Sequence, residues 1–589
     1  MSPSSDAASL ATTVPAHDRS EQSGRALALR GQARLIDLQA EGEPWLWCLG
    51  GALALGIVMI LSLLVLVVWN GSTTFWPARV QVVELVDGTR IAGEPTRASS
   101  WSPGPELLQG QPPEARAAIA ASGGTAERTL YRIGNYDLYG DDFKWVADFE
   151  TRSVAAPPGM IRIERLEWGP FIGTLAGIAI QGTRIDTTDV KDPRLARAHA
   201  EARARWAEIR RIERGEIGTV NHHLERERLR LRRALMGTPT PAEEAQAAAR
   251  FAAEETRLNA QYARLSAEAK ALRARDAGDR VFLADVSGRA VELPLSAVVR
   301  YFAPNQLSAV GQLGVYFARW VEFLVDEPRE ANTEGGVMPA IFGTFAMTLL
   351  LVIVVAPFGV VTALYLREYA RQGRVIALVR ISVNNLAGVP SIVYGVFGLG
   401  FFAYIVGGGI DQLLFPERLP NPTFGTGGLL WASLTLALLT VPVVIVATEE
   451  ALAAVPRSMR EGSLACGASK WQTIRRIVLP RALPGIMTGL ILAMARGAGE
   501  VAPLMLVGVV KLAPELPIDG FFPYIHLERS FMHLGFHIFD VGFQSRNSEA
   551  GKPMVFVTTL LLIMLIFLMN IGAIIIRNRL RRKFQGSQF

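Results

Sequence analysis

The stretch Met347-Thr-Leu-Leu-Leu-Val-Ile-Val-Val355 lies at the centre of a segment that contains no charged residue between Glu334 and Arg367. A bilayer core about 30 Å thick is crossed by roughly 20 apolar helical residues, because lipid offers no partner to an unpaired backbone N–H or C=O group. The segment is long enough to cross such a core and has the composition of a membrane helix. We therefore predict a transmembrane helix here.

The same test predicts six membrane spans in the chain. The first begins too far from the N-terminus, and is too long, for the apolar region of a signal peptide, so we interpret it as an uncleaved anchor. The fifth is interrupted by Arg496 and Glu500. The five spans besides the one quoted lie at 45–69, between 380 and 411, between 418 and 449, at about 483–510, and between 552 and 577.

Basic residues predict the orientation of the spans, because cytoplasmic segments carry an excess of Lys and Arg. The segments after spans two and four and the C-terminal tail are rich in them, whereas the loop from Asp411 to Arg418 holds one basic residue against two acidic ones. We therefore expect the tails 1–44 and 578–589 in the cytoplasm. The basic residues are Arg367, Arg371, Arg374 and Arg380; Arg457, Arg460, Lys470, Arg475, Arg476 and Arg481; and Arg577, Arg579, Arg581, Arg582 and Lys583.

Residues 70–335 then form one extracytoplasmic insertion, for which we predict an α+β fold. The uncharged segment 169–183 is too short to span a membrane and is interpreted as buried strand or loop. Residues from about 192 to 277 are rich in Ala, Arg, Glu and Leu and predict two helices separated by Gly237-Thr-Pro-Thr-Pro241. Strands are predicted at 80–85, 130–133, 143–149 and within 280–302.

Apolar residues at heptad spacing in both predicted helices indicate an antiparallel hairpin packed as a coiled coil. The first arm is rich in arginine, which could suggest nucleic-acid binding, but interleaved Glu225 and Glu227 and the extracytoplasmic location favour a solvated helix face. We therefore expect no nucleic acid as a partner. The heptad residues are Ile217, Leu224 and Leu231, and Phe251, Leu258, Leu265 and Leu272.

The composition excludes several classes of protein and site. With 50% hydrophobic and 19% charged residues and a net charge of +6, the chain is neither a disordered chain nor a collagen. Cys48 and Cys466 alone cannot form a disulfide framework or a four-cysteine zinc site. Histidines could bind a metal, but no cysteine or carboxylate cluster accompanies them, and we favour loop or interface roles and expect no metal site. They are His222, His223, His526, His533 and His537.

The loop after span four, within residues 449–482, contains a motif of fixed spacing. It reads Glu461-Gly-Ser-Leu-Ala-Cys-Gly467, then nine residues, then Ile477-Val-Leu-Pro480. Such a sequence predicts two short amphipathic helices joined at Gly467, because glycine permits the backbone torsions of the bend. We expect Pro480 to end the second helix before span five begins.

This motif resembles the E-A-A-x3-G-x9-I-x-L-P signature of the membrane subunits of ABC importers, with Gly462 and Ser463 in the alanine positions. The resemblance implies that the loop docks in a groove of an ATPase subunit and transmits its closure. The implied coupling residues are Glu461, Gly462, Gly467, Ile477, Leu479 and Pro480.

Residues 337–583 also resemble the A-type permease of the phosphate-specific ABC importers, on three stretches. These are Asn385-Leu-Ala-Gly-Val-Pro-Ser-Ile-Val-Tyr-Gly395, Lys470-Trp-Gln-Thr-Ile474 and Ala495-Arg-Gly-Ala-Gly-Glu-Val-Ala-Pro-Leu504. The last is similar to the family's R-x-x-G-E-T-A-P pattern, with Val501 where threonine is usual. The resemblance implies an α-helical membrane protein with the six-helix type I permease fold, its core at 336–577, in a bacterial inner membrane.

Arg496 and Glu500 are the candidate residues of the substrate path. A charge within a membrane helix costs about 2.5–3.5 kcal/mol on insertion scales and normally faces a pore or a partner. Residues four apart share a helix face, and a guanidinium can hold phosphate oxygens in a bidentate fork. Our hypothesis is that Arg496 contacts the anion and Glu500 neutralises Arg496 when the path is empty; the alternative is a structural ion pair. Gly497 and Gly499 would permit close approach of another helix or of the substrate.

The sequence contains no ATP-binding loop, since Ala468 stands where a P-loop lysine would follow Gly467. We therefore expect a transport subunit that is not an enzyme and needs no cofactor. The partners implied are a homologous C-type permease, two ATPase subunits, a periplasmic phosphate-binding protein, phosphate and the bilayer. Two alternatives stay open: a permease for molybdate, sulfate or phosphonate, and a membrane-anchored coiled-coil sensor or scaffold.

Overall fold

The computed structural model describes residues 44–104, 106–107, 113–545 and 548–585. Within these ranges six helices are long and apolar enough to cross a membrane, which confirms the six predicted spans. Residues 1–43 and 586–589, predicted to lie in the cytoplasm, are outside the described ranges. Spans 1 to 6 are Trp47–Thr73, Met338–Tyr369, Ser391–Leu414, Leu429–Ala453, Lys470–Gly499 and Glu549–Arg582.

The chain divides into two compact units, Met1–Val67 and Val68–Phe589. The described part of the first unit belongs to the helix Pro44–Thr73, and its side chains are exposed on almost all sides. The second unit contains spans 2 to 6 and the insertion. Each unit therefore has its own internal packing.

Spans 2, 4 and 5 form the centre of the membrane bundle. Small residues permit this, because a Cβ at Gly489 would lie 2.4 Å from the Ala447 Cβ and one at Gly485 would lie 2.6 Å from the Ala451 Cβ. The apolar core joins the three spans to the segment that follows span 5. Its buried members are Met347, Leu351, Val355, Tyr394, Leu429, Ala432, Leu436, Ala437, Leu439, Val444, Ala493, Leu504, Val509 and Phe531.

Span 5 differs from the prediction at both ends. It begins at Lys470, and Pro480 lies inside a continuous helix rather than ending one. A wide π-helical turn, Ile474–Val478, precedes Leu479–Gly499 and makes room for the proline ring. The helix ends at Gly499 instead of near Val510, and the backbone of Glu500 is already extended.

Among the described residues, the insertion contains two large antiparallel sheets and a short two-stranded one, in which Pro328–Arg329 pairs with Glu334–Gly335. The order of the first is β4-β3-β2-β1-β5 and that of the second is β10-β9-β7-β6-β11, with β8 beside β7. The segment interpreted as buried strand or loop forms β7, which lies in the second core with Phe171 and Ile178 fully buried. The strands are β1 Gln81–Leu85, β2 Arg90–Trp101, β3 Ala126–Arg132, β4 Phe143–Ala147, β5 Thr151–Ala155, β6 Ile161–Arg165, β7 Phe171–Ile180, β8 Thr183–Ile185, β9 Arg280–Ala284, β10 Ala290–Pro294 and β11 Val298–Phe302.

Seven helices lie outside the spans. They are α1 Pro113–Ala121, α2 Pro193–Arg210, α3 Ile217–Met236, α4 Pro241–Asp276, α5 Ala309–Val325, α6 Arg374–Leu386 and α7 Arg457–Ala465, among the described residues and leaving out helical pieces of four to seven residues. Helix α4 begins at Thr240, whose hydroxyl accepts from the Glu243 N–H. Helices α3 and α4 pack on each other through Val220, Leu258 and Leu265. Their coiled-coil register and extracytoplasmic location stay predictions.

The insertion contacts two loops of the membrane bundle through α3. The Arg233 guanidinium pairs with Glu417 in the loop between spans 3 and 4, and the Glu417 side chain is only 5% exposed. The His222 ring stacks on Phe521, between spans 5 and 6, with ring centroids 3.9 Å apart. One helix of the insertion therefore contacts two different loops of the membrane bundle.

Candidate translocation site and coupling loop

The loop after span 4 forms the bend that its sequence predicts. Helix α7 ends at Ala465, and Gly467 has a φ of +81°, a left-handed conformation that glycine adopts without strain. The next helical turn starts at Ser469, whose hydroxyl accepts from the Gln472 N–H while the Gln472 side chain accepts from the Ser469 N–H. The two helical pieces are joined by a hydrogen bond between the Ser463 and Thr473 hydroxyls, 2.9 Å apart.

Arg460 attaches this loop to spans 2 and 4. Its guanidinium lies 2.9 Å from the Glu368 carboxylate at the end of span 2 and donates to the backbone carbonyls of Leu452 and Val455. The Lys470 ammonium lies 4.9 Å above the Tyr369 ring. The loop is therefore bonded to the ends of two other spans and is continuous with span 5.

The predicted coupling residues separate into two groups. Glu461, Gly462 and Gly467 are exposed, and next to them Leu464 and Trp471 are 50% and 55% exposed. These two large apolar side chains were not among the predicted coupling residues, although an apolar residue on a basic loop is a usable signal of a docking face. The second group, which is half-buried in the helix of span 5, contains Ile477, Leu479 and Pro480.

Arg496 and Glu500 lie together at the broken end of span 5. The Arg496 Nε atom is 3.7 Å from the Glu500 Oε1 atom, and the side chains are 40% and 23% exposed. Arg496 belongs to the last helical turn, where the partial negative charge of the helix end favours a cation. Glu500 is just past the helix, with extended backbone at φ −79° and ψ 135°. The pair is thus formed across the helix end rather than along one helix face.

The pair lies in the middle of the bundle. A Cβ on Gly497 would be 2.5 Å from the Leu351 Cδ1 atom, and Leu351 is in the middle of the helix Met338–Leu364. Gly497 thus brings two helices together as predicted, whereas nothing lies within 4 Å of a Cβ on Gly499. Among the described residues, Glu500 is the one carboxylate within 4 Å of the Arg496 guanidinium. An accessible cation therefore lies at the depth where the helix stops.

Two of the three stretches that carry the family resemblance meet beside this pair. A Cβ on Gly395 would lie 2.7 Å from the Pro503 Cα atom, so span 3 and the segment after span 5 are in direct contact. Tyr394 and Leu504 are buried in the same core, and the Tyr394 hydroxyl donates to the Leu386 carbonyl at 2.6 Å. Sequence reasoning identified both stretches but gave no signal that they touch.

The segment between spans 5 and 6 contains three buried histidines, His526, His533 and His537. Burial lowers the pKa of His533 and of His537 to about 4, so both rings are neutral near pH 7. His526 lies between the Asp519 and Glu528 carboxylates, at 2.9 and 3.1 Å. Within the described ranges no group of three or more His, Cys, Asp or Glu side chains is arranged to hold a metal ion.

Comparison with known proteins gives one family. Residues 355–582 match the family described as binding-protein-dependent transport system inner membrane component. The probable ABC transporter permease protein YqgH of Bacillus subtilis is 36% identical over 204 residues, which are 34% of this chain and 62% of that protein. The phosphate transport system permease protein PstA 1 of Mycobacterium tuberculosis (strain H37Rv) is 42% identical over 175 residues, 30% of this chain and 51% of that protein. The chain thus spans between half and two thirds of the length of these two relatives.

Solved structures of ABC importers are also similar to this chain. The match to a chain of the inward-facing MetNI methionine ABC transporter has 21% sequence identity and a TM-score of 0.29. It includes 42% of this chain and 94% of that chain. The match to a chain of a bacterial ABC transporter involved in the import of the acidic polysaccharide alginate has 16% sequence identity and a TM-score of 0.32. It includes 45% of this chain and 83% of that chain.

Proposed function

Because residues 355–582 match the family of binding-protein-dependent transport system inner membrane components and resemble PstA-type permeases, we propose that the chain is the A-type permease subunit of an ATP-driven importer of inorganic phosphate. The observation that carries the proposal is the accessible Arg496 guanidinium in the middle of the bundle, with Glu500 as its neighbour. The 42% identity to a phosphate permease supports phosphate as the substrate.

Arg496 would bind the phosphate in transit. A planar guanidinium presents paired N–H donors that match two phosphate oxygens, and it stays protonated at any physiological pH. Glu500 Oε1, 3.7 Å from Arg496 Nε, would act as the counter-charge when no anion is present. An anion that displaces this carboxylate takes its place as the partner of Arg496 but leaves the Glu500 charge unpaired, and this cost would keep binding reversible.

Span 5 provides a direct connection between ATPase docking and the anion site. One continuous helix runs from Lys470, in the docking loop, to Gly499, beside Arg496. A 30-residue helix is about 45 Å long at 1.5 Å per residue. Closure of an ATPase on Leu464 and Trp471 would thus move the anion site as the other end of one rigid element. The Arg460–Glu368 pair would carry the same displacement to span 2.

The proposal includes separate partners for the tasks that this chain does not perform. Two ATPase subunits would hydrolyse ATP, a homologous C-type permease would complete the path, and a phosphate-binding protein outside the cytoplasm would deliver the substrate. The charged insertion would then face the side from which substrate arrives. This arrangement follows the family to which residues 355–582 belong.

Replacing Arg496 tests the anion site. We expect Arg496→Gln to abolish phosphate uptake while the complex with the ATPase still assembles, and Arg496→Lys to retain part of the uptake because the charge remains. Normal uptake by an assembled Arg496→Gln complex would contradict the role in transit. Competition of labelled phosphate uptake by sulfate, molybdate and phosphonate tests the substrate, and stronger inhibition by one of these than by unlabelled phosphate would favour that oxyanion.

A further inference from the structure

Helix α5 has its polar and apolar sides reversed relative to a helix on the surface of a water-soluble protein. Its exposed arc consists of apolar or small residues alone, and Phe317 and Val321 are each 62% exposed. Its polar residues Arg319 and Glu322 face inward and are 8% and 9% exposed. A helix surrounded by water buries its apolar face and exposes its charges. The exposed arc is made of Val310, Leu313, Gly314, Phe317, Ala318, Val321, Leu324 and Val325.

The inward side of α5 is held by specific bonds. The Arg319 guanidinium pairs with the buried Glu164 carboxylate of β6, and Arg300 lies 2.8 Å from the Glu322 carboxylate. Phe323 is fully buried against Val337 and its neighbours in the bundle. These bonds fix the rotation of the helix, so the apolar arc cannot turn inward without breaking buried ion pairs.

The position of α5 along the bundle is fixed by the end of span 1. The Tyr316 hydroxyl donates to the Ser72 carbonyl at 2.9 Å, and the Phe75 and Trp320 rings meet edge to face at 5.1 Å. Exposed Trp69 and Trp76 lie along the same stretch of chain. Tryptophan and tyrosine collect where a membrane span meets the headgroup layer. The apolar arc is therefore at the level of one membrane interface.

We propose that the exposed arc of α5 contacts lipid at the membrane interface and seats the insertion on the bilayer. An exposed apolar surface of this kind marks a contact with a membrane or a protein. The aromatic residues at the end of span 1 and the absence of any polar residue from the arc favour lipid. The proposal rests on the assignment of the six helices as membrane spans, and not on the transported substrate.

Collision accessibility of spin labels tests the contact. In the full-length chain with Cys48→Ser and Cys466→Ser, reconstituted in phosphatidylethanolamine–phosphatidylglycerol nanodiscs, a label is placed at Phe317→Cys or Val321→Cys. Phe567→Cys, 61% exposed on span 6, is the lipid reference, and Glu244→Cys, exposed on α4, is the water reference. We expect oxygen accessibility above that at Glu244 but below that at Phe567, which is near the middle of its span, and accessibility to a water-soluble nickel chelate severalfold below that at Glu244.

Two results would overturn the proposal. High accessibility to the nickel chelate, as at Glu244, would mean that the arc faces water. Low accessibility to both oxygen and nickel would mean that protein covers the arc, which in this sample is a second copy of the chain. A loss of phosphate transport would bear on the proposed function instead, because the labelling result depends only on what surrounds α5.

Discussion

Gly497 of span 5 packs so closely on Leu351 of span 2 that a Cβ at position 497 would lie 2.5 Å from the Leu351 Cδ1 atom. Since the next residue toward the N-terminus is Arg496, this contact fixes the depth at which the guanidinium is held. The neighbouring Gly499 has open space where its Cβ would be. The two glycines of this motif therefore differ. Gly497 is needed for close helix packing, whereas no neighbouring atom requires a glycine at position 499.

The contact predicts different costs for alanine at the two glycines. Gly497→Ala should lower stability by about 1–3 kcal/mol, the usual cost of overpacking, because the Leu351 side chain must move. Gly499→Ala is the matched control and should change stability little. Thermal unfolding of the purified protein in detergent measures both. In a background of Leu351→Ala, which has its own cavity cost, the further loss caused by Gly497→Ala should become small. Equal losses at the two glycines would contradict the packing role.

Removing the charge of Glu500 tests its role as counter-ion. Glu500→Gln keeps the shape of the side chain and leaves Arg496 without a carboxylate, so phosphate should bind more tightly and leave more slowly. We expect a lower KM and a lower maximal uptake rate, each by up to about tenfold, which corresponds to ~1.4 kcal/mol. Initial uptake rates over a range of phosphate concentrations measure both. An unchanged KM would mean that Glu500 does not compete with the anion.

The left-handed backbone at Gly467 predicts which substitutions the coupling loop accepts. At φ +81° asparagine is tolerated, whereas valine is strained, and nothing within 4 Å crowds the position. Gly467→Val should therefore reduce co-purification of the ATPase subunits, and Gly467→Asn should reduce it much less. Gly462→Ala, within α7 and equally uncrowded, is the control and should retain the ATPase. If Gly467→Val and Gly462→Ala behave alike, the bend is not required for docking.

The buried carboxylate of Glu164 predicts a pH dependence of stability. Burial raises its pKa, but the charges of Arg319, Arg300 and Arg162 outweigh this effect and hold the pKa well below the usual range. A lowered pKa means that the charged group stabilises the folded state above the unfolded pKa of about 4.3, and that this stability is lost as the pH falls below that value.

The corresponding variant is Glu164→Gln. It leaves the buried Arg319 guanidinium without a carboxylate partner and should lower the free energy of unfolding by about 3–5 kcal/mol at pH 7. Its unfolding temperature should also fall less steeply than that of the natural protein between pH 5 and pH 3. Parallel pH profiles for the two proteins would show that Glu164 is not the group responsible.

The spans and the coupling loop could be predicted because their causes are local. A charge-free segment gives a membrane helix from its own composition, and Gly467 at the centre of its motif indicates a bend. The end of span 5 could not be found by hydropathy, because residues 501–510 are uncharged and apolar enough to continue the helix beyond Gly499. Pro480 was wrongly predicted to end a helix, because the π-helical turn before it accommodates the ring.

Contacts between distant parts of the sequence were beyond prediction. Gly395 and Pro503 are far apart in sequence and meet only because spans 3, 4 and 5 pack together. The apolar residues of the α5 arc recur with the helical period, and this pattern would be the same if the arc were buried in a protein core. Its outward direction depends on the pairing of Arg319 with Glu164, which lies 155 residues earlier in the chain.

The two attachments of α3 link the insertion thermodynamically to the membrane bundle. Arg233 holds the loop between spans 3 and 4, and His222 holds the loop between spans 5 and 6. A change in the distance between these loops must break one contact or tilt the helix. Linkage is reciprocal, so any ligand or solution condition that favours one position of the hairpin shifts the equilibrium between arrangements of the two loops by the same free energy. Under the proposed function, this linkage would let the insertion set how readily the permease opens on the side of these loops, without contact with the transported ion.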